Sequence, residues 1–172
     1  DRVRTERERV GLVEHDRVGN VRGEPCEGLG RGRRLRDERD LVAHAAATMG
    51  YLAGLGIGRG DIVTACLPNW WQTVAVYLGV LRLGAVVNPV PTAYGRADLE
   101  FALAKCRSKA LFIPGHFRSV DFTEMVAAIS TADIRDLPII RIGDGAKDVG
   151  VPLADVLAHA PAPMTPGISA DD

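Results

Sequence analysis

Residues Gly54 to Pro114 read GLGIGRGDIVTACLPNWWQTVAVYLGVLRLGAVVNPVPTAYGRADLEFALAKCRSKALFIP, and the order of their apolar runs decides the fold. Asp61 to Leu67 (DIVTACL) is short and mostly apolar, the texture of a strand buried on both faces of a parallel sheet. Pro68 stops it. Asn69 is then placed to cap a helix over Trp70 to Leu83, its side-chain oxygen accepting one of the free backbone N–H groups. Val74, Tyr77, Leu78 and Leu81 form the expected buried face of that helix. Gly84 closes it, and Ala85 to Asn88 reads as a second strand entering the stiff loop Asn88-Pro89-Val90-Pro91. A third segment, Arg96 to Cys106, is expected to be a helix with Leu99, Ala102, Leu103 and Cys106 inward, followed by a strand from Lys109 to Ile113.

Working outward, the same alternation continues on both sides. Upstream, Leu41, Ala45, Thr48, Leu52 and Leu55 recur at helical spacing, with acidic residues at the N-terminal end where the helix dipole favours them. The glycines of Gly54 to Gly60 follow that helix and open a strand. A dinucleotide fingerprint has the reverse order, so these glycines read as a helix cap and turn. Downstream, Ser119 is placed to cap a helix carrying Phe122, Val126 and Ile129, and Leu137 to Ile142 (LPIIRI) is a further strand. Gly143 to Gly150 is rich in turn residues, and Pro152 to Val156 is expected to form a short helix. Helices alternating with strands across short turns predict an α/β fold, a mostly parallel sheet flanked by helices. We expect three parts: a leader over 1–39, an α/β subdomain over 40–157 and a Pro-rich linker over 158–172.

The totals hide this unevenness. The chain has 172 residues, 47% of them hydrophobic and 25% charged, with net charge −1, which suits one globular unit. The first forty residues are different. They hold 11 of the 18 arginines, 10 acidic residues and no aromatic ring, and neither apolar period is present. We therefore expect a poorly ordered, solvated leader. The near balance of charge and the lack of rings for base stacking argue against a nucleic-acid partner. Cys26, Cys66 and Cys106 are too few and too widely spaced for a disulfide scaffold or a metal site, and suit a reducing, cytoplasmic setting. The longest apolar run, Val74 to Val87, is about 14 residues and carries Arg82, whereas a membrane span needs roughly 20. No membrane span is expected.

A search for chemistry finds little. His15, His44, His116 and His159 lie far apart and without metal-ligand spacing, and the chain contains no nucleophile elbow, P-loop or CxxC pair. No catalytic and no metal-binding residue is assigned.

Taken together, however, Gly60-Asp61, Leu67-Pro68-Asn69, Gly84-Ala85, Asn88-Pro89 and Ser108-Lys109 resemble the N-terminal region of the AMP-forming acyl-CoA synthetases of the adenylate-forming superfamily. Trp70-Trp71 and Phe117-Arg118 resemble its cyclohexanecarboxylate, medium-chain and aryl acid ligases. The resemblance runs from about Leu41 to the end of the chain. It implies the N-terminal subdomain of the adenylate-forming fold, and a parent reaction in which a carboxylic acid, ATP and coenzyme A give acyl-CoA, AMP and pyrophosphate, with magnesium. The family's phosphate loop, of the form TSGTTGxPKG, follows a segment shaped like Ser169-Ala170-Asp171-Asp172, and its magnesium, ribose and lysine contacts come later still. The chain by itself is therefore expected to be inactive and to bind no cofactor firmly, its partner being the remainder of a ligase chain. The alternative is a non-enzymatic remnant or binding module that pairs with a separately encoded remainder.

By the same resemblance the loop residues Pro91, Thr92 and Ala93, with Arg118, would lie near the nucleotide of coenzyme A. The start departs from the family: LRDERDLV stands where relatives carry a Thr-Tyr-x-x-Leu segment after an aromatic-containing strand and hairpin. We read residues 1 to about 38 as the product of a shifted reading frame.

Overall fold

The computed structural model describes residues 38–129 and 136–158. The leader, with His15 and Cys26, and the linker, with His159, fall outside the described residues apart from Glu38, Arg39 and Ala158.

Helix α1 (Glu38–Gly54) leads to β1 (Ile62–Ala65), α2 (Trp71–Arg82), β2 (Val86–Pro89), α3 (Arg96–Cys106) and β3 (Ala110–Pro114). Beyond them come a small hairpin of β4 (His116–Phe117) and β5 (Val120–Asp121), then α4 (Phe122–Ala127), β6 (Ile139–Ile142), β7 (Val151–Pro152) and a short helix, here α5 (Leu153–Leu157). The five longer-range strands form one parallel sheet in the order β2-β1-β3-β6-β7, and β4–β5 is a separate antiparallel pair. The mostly parallel α/β sheet read from the sequence is thus the observed architecture.

Strand periodicity divides the core. Val63 and Ala65 of β1, Ala110 and Phe112 of β3, and Ile140 and Ile142 of β6 join Leu52, Val76, Val80, Leu153 and Val156 on the α1, α2 and α5 side. Leu111 and Ile113 of β3 point the other way, to Leu99 and Leu103 of α3 and Phe122 and Val126 of α4. Side chains alternate across a strand, so one apolar run such as Ala110 to Ile113 feeds two layers. Each large side chain fully buried this way contributes about 1.5–3 kcal/mol.

Besides Leu55, which lies past the end of α1 and is exposed rather than on its buried face, three expectations need correction. The first concerns the buried face of α2. Val74, Leu78 and Leu81 are 48%, 37% and 51% exposed, while Gln72, Thr73, Ala75, Val76, Gly79 and Val80 are inside. The helix is apolar nearly all round, so hydrophobicity alone did not choose a face; residue size did. A Cβ on Gly79 would come within 2.8 Å of the Ala45 carbonyl oxygen and of Thr48 Cβ. Only the small-residue side can approach α1 that closely. The second is Asn69, which lies outside the helix: Trp70 occupies the cap position with no side-chain cap bond. Here the chain winds over Pro68, whose carbonyl accepts the Trp70 N–H and the Thr73 hydroxyl at 2.7 and 2.6 Å. The third is Ser119. It sits in the turn of the β4–β5 hairpin, and the cap of α4 is Asp121, whose Oδ1 accepts from the Thr123 and Glu124 N–H groups.

The glycine turn after α1 is a helix cap as read. The Ile57 N–H reaches the Leu52 carbonyl and the Gly56 N–H that of Ala53, with Gly56 at φ 79°, the Schellman pattern. Ala85 and Gly84 repeat it on Val80 and Leu81, and Ser108 and Arg107 on Leu103 and Ala104. In the third case the left-handed position is held by an arginine, Arg107 at φ 51°.

Candidate functional site

In a parallel sheet all loops that follow strands emerge at one edge. Here that edge carries Cys66 to Trp70 after β1, Val90 to Gly95 after β2, Gly115 to Asp121 after β3 and Gly143 to Gly150 after β6. The chain leaves β1 for β2 on one side and later builds β3 on the other side of β1. The crevice between the carboxyl ends of β1 and β3 is therefore the topological switch point, where open α/β sheets bind ligands.

Aromatic residues and an arginine occupy it. Trp70, from the loop after β1, meets Phe117, from the hairpin after β3, edge to face at 5.7 Å between centroids. The Arg118 guanidinium lies 5.3 Å from the centre of the Phe117 ring, in cation–π range. Arg118 is exposed and has φ 56°, the left-handed conformation that two-residue hairpin turns use at their first position. Trp71 instead meets His44 of α1, the two rings 5.1 Å apart between centroids and tilted by 35°. The tryptophan pair is thus split between the crevice and the α1–α2 packing.

The hairpin is tied down by a polar network. Asp121 accepts from the Thr123 hydroxyl at 2.6 Å and the Thr123 N–H at 2.8 Å, and its Oδ2 lies 2.9 Å from His116 Nε2. Burial alone would raise its pKa, but the hydrogen bonds from Thr123 and the Glu124 N–H, together with His116, hold the carboxyl below its ordinary value. The Ala146 N–H reaches the Thr123 hydroxyl at 3.1 Å. Arg141, buried on β6 and not singled out by any motif, donates from Nη1 to the carbonyls of Ala146, Val149 and Gly150 at 3.0, 2.9 and 3.2 Å. An apolar strand signal had hidden this pin on the loop after β6. Cys66 is buried beneath the β2 loop, its Sγ 3.7 Å from the Pro91 carbonyl, and burial pushes the thiol up to about 11.

Pro91, Thr92, Ala93 and Arg118 all stand on this edge. They lie on opposite sides of β1, since β2 and β3 flank it; two strand spacings separate those ends by roughly 10 Å. Pro91 and Ala93 are exposed and Thr92 half-buried. The other motif residues serve structure. Asp61 Oδ2 accepts from the Gly58 N–H at 2.9 Å, and the Gly60 N–H reaches the Gly84 carbonyl at 2.9 Å, closing the turns before β1 and β2. Asn88 Nδ2 donates to Thr64 Oγ1 at 3.0 Å, and Thr64 shares a 2.6 Å hydrogen bond with Ser108. Among the described residues no three acidic, His or Cys side chains form a metal-binding group, and no helix is long and apolar enough to cross a membrane.

Residues 38–166 match the AMP-binding enzyme family. The chain belongs to that family. Among curated AMP-binding relatives, it is 31% identical to the medium-chain fatty-acid–CoA ligase of Escherichia coli over 84 residues, 48% of this chain and 15% of that one. It is 36% identical to a probable CoA ligase of Humulus lupulus over 76 residues, 44% of this chain and 14% of that one. The match thus spans about a seventh of the length of these relatives. Of solved structures, a Mycobacterium tuberculosis fatty acyl CoA synthetase superposes with TM-score 0.59 at 26% identity, covering 74% of this chain and 24% of that one. An anthranilate CoA ligase in complex with anthranoyl-AMP shares the fold, with TM-score 0.63 at 23% identity over 74% of this chain and 23% of that one.

Proposed function

We propose that this chain is the N-terminal α/β part of an AMP-forming acyl-CoA ligase and acts in the cytoplasm. In the whole ligase a carboxylate attacks the α-phosphate of ATP, giving acyl-AMP and pyrophosphate, and the thiol of coenzyme A then displaces AMP. The observation that carries this reading is the family match over residues 38–166, the whole of the α/β unit, alongside relatives named as CoA ligases.

Residues 1–172 contain no TSGTTGxPKG-like loop, and among the described residues no three acidic, His or Cys side chains gather into a metal-binding group, so they supply neither a phosphate loop nor a metal cluster for the ATP half-reaction. The adenylation step belongs to the remainder of the ligase. Val42, Val74, Leu78 and Leu81, exposed on α1 and α2, suit burial against such a remainder.

Coenzyme A is a better fit. Arg118 offers a planar donor fork to a phosphate at the switch point, and Thr92 a hydroxyl across β1. Their role is to bind and orient the nucleotide end while the thiol reacts elsewhere. Isotope exchange between pyrophosphate and ATP is expected to be absent for the 172-residue chain, and exchange would overturn the division of labour. Titration with coenzyme A should show weak binding that Arg118→Ala reduces about tenfold, the loss of one charge-assisted contact; unchanged binding would remove Arg118 from the site.

A further inference from the structure

We propose that His116 is a proton-operated latch that fastens the β4–β5 hairpin to the turn after β6. Its two ring nitrogens face two groups that can only accept. Nε2 lies 2.9 Å from the Asp121 carboxylate, and Nδ1 lies 3.2 Å from the backbone carbonyl oxygen of Asp144. Both contacts are hydrogen bonds only when both nitrogens carry a proton, as in the imidazolium.

A neutral ring has one N–H to give. The ionised Asp121 keeps it at Nε2, because a bond to a charged acceptor is the stronger one. The Nδ1 lone pair then faces the Asp144 carbonyl oxygen and repels it. Losing the proton therefore turns one attractive contact into a repulsive one and leaves the other in place. The side chain is 58% exposed, so the proton exchanges with solvent. The charged groups on the surrounding elements are Asp121 on β5, Arg118 at the hairpin tip, Glu124 in the first turn of α4, and Asp144, Lys147 and Asp148 in the loop after β6.

Release does not unfold the hairpin. Its base stays held by the Gly115 N–H on the Ile142 carbonyl at 2.8 Å and the Phe122 N–H on the Gly115 carbonyl at 2.9 Å. What gains freedom is Phe117, the next residue of β4, whose ring meets Trp70 edge to face. The latch is closed at acid pH and open at alkaline pH.

Trp70 is the natural reporter, and Trp71→Phe removes the second indole, which lies against the His44 ring. In that background of the full 172-residue chain, Trp70 emission is expected to step as the His116 ring loses its proton. The carbonyl carbon signal of Asp144 should move with the same midpoint as the His116 ring nitrogens in nuclear magnetic resonance. Asp144→Ala keeps the step, since the acceptor is backbone, and His116→Gln abolishes it. A step that survives His116→Gln, or that disappears in Asp144→Ala, overturns the latch. So does an Asp144 carbonyl signal in the unsubstituted chain that ignores the ring, a measurement that needs no variant to fold.

Discussion

The two ends of the parallel strands are built on different principles. At the end where strands begin, three helices finish in the same Schellman turn, at Gly56, Gly84 and Arg107, and each hands the chain to its strand within a few residues. These turns use backbone bonds and left-handed residues and little side-chain chemistry. At the end where strands finish, no two loops are alike. One carries Trp70, one Pro91 to Ala93, one the hairpin with His116, Phe117 and Arg118, and one is pinned by Arg141. Repetition marks the end that holds the fold, and individuality marks the end where open α/β sheets commonly bind ligands, because a turn has few good solutions and a binding surface has many.

The comparison breaks first at Gly115. A Cβ there would collide with the Asp144 backbone carbonyl, so even the individual end contains a position with no tolerance. Gly115→Ala is expected to cost about 3 kcal/mol or more by overpacking, read as a large drop in the urea midpoint of the intact chain. A cost below 1 kcal/mol would mean that the two loops part easily.

Asp121 should come next. Asp121→Ala removes the cap of α4 and is expected to cost about 1–2 kcal/mol near neutral pH. The folded carboxyl is held below its ordinary value, so its contribution is present above the unfolded value near 3.9 and fades as pH falls through the lowered folded one. The gap between wild type and variant in denaturation should therefore close in acid. A gap that stays constant would show that the carboxylate charge is irrelevant.

The repeated end allows a matched pair of smaller tests. Around Gly56 there is open space, so Gly56→Ala isolates the left-handed backbone and should cost about 1 kcal/mol. Arg107→Gly at the equivalent turn should gain about 0.5–1 kcal/mol, the same preference with opposite sign. Effects of equal sign in thermal melts would refute the equivalence of the two turns. The smallest change is expected from Arg118→Ala, within about 0.5 kcal/mol of wild type in stability, because the residue is exposed at the hairpin tip.

Much of the fold was legible because it rests on short-range chemistry. Strand runs such as Ala110 to Ile113 are apolar enough to fill two layers, and Gly56 and Gly84 stand where left-handed caps are needed. Leu99 and Leu103 mark the inner side of α3 by spacing alone. What failed did so for one reason. Asn69, Ser119 and the face of α2 were decided by hydrogen bonds or by size, which apolar spacing does not carry: the Pro68 carbonyl, the hairpin that moves the cap to Asp121, and the approach of Gly79 to Ala45 and Thr48. No periodicity encodes a partner on another element.

The candidate site divides in the same way. Arg118 and Pro91 to Ala93 were reached through resemblance, and the strand order then put them on one edge around β1. His116 looked like one of four scattered histidines, since its partners are Asp121 across the hairpin and a backbone carbonyl 28 residues away. The sequence by itself determined the alternation of helices and strands, the glycine turns and the family, because local conformation and motif order are written residue by residue. Only the tertiary structure decided which face of α2 is buried, where the switch-point crevice lies and which two acceptors His116 meets, because burial and hydrogen bonding are settled between elements and not within them.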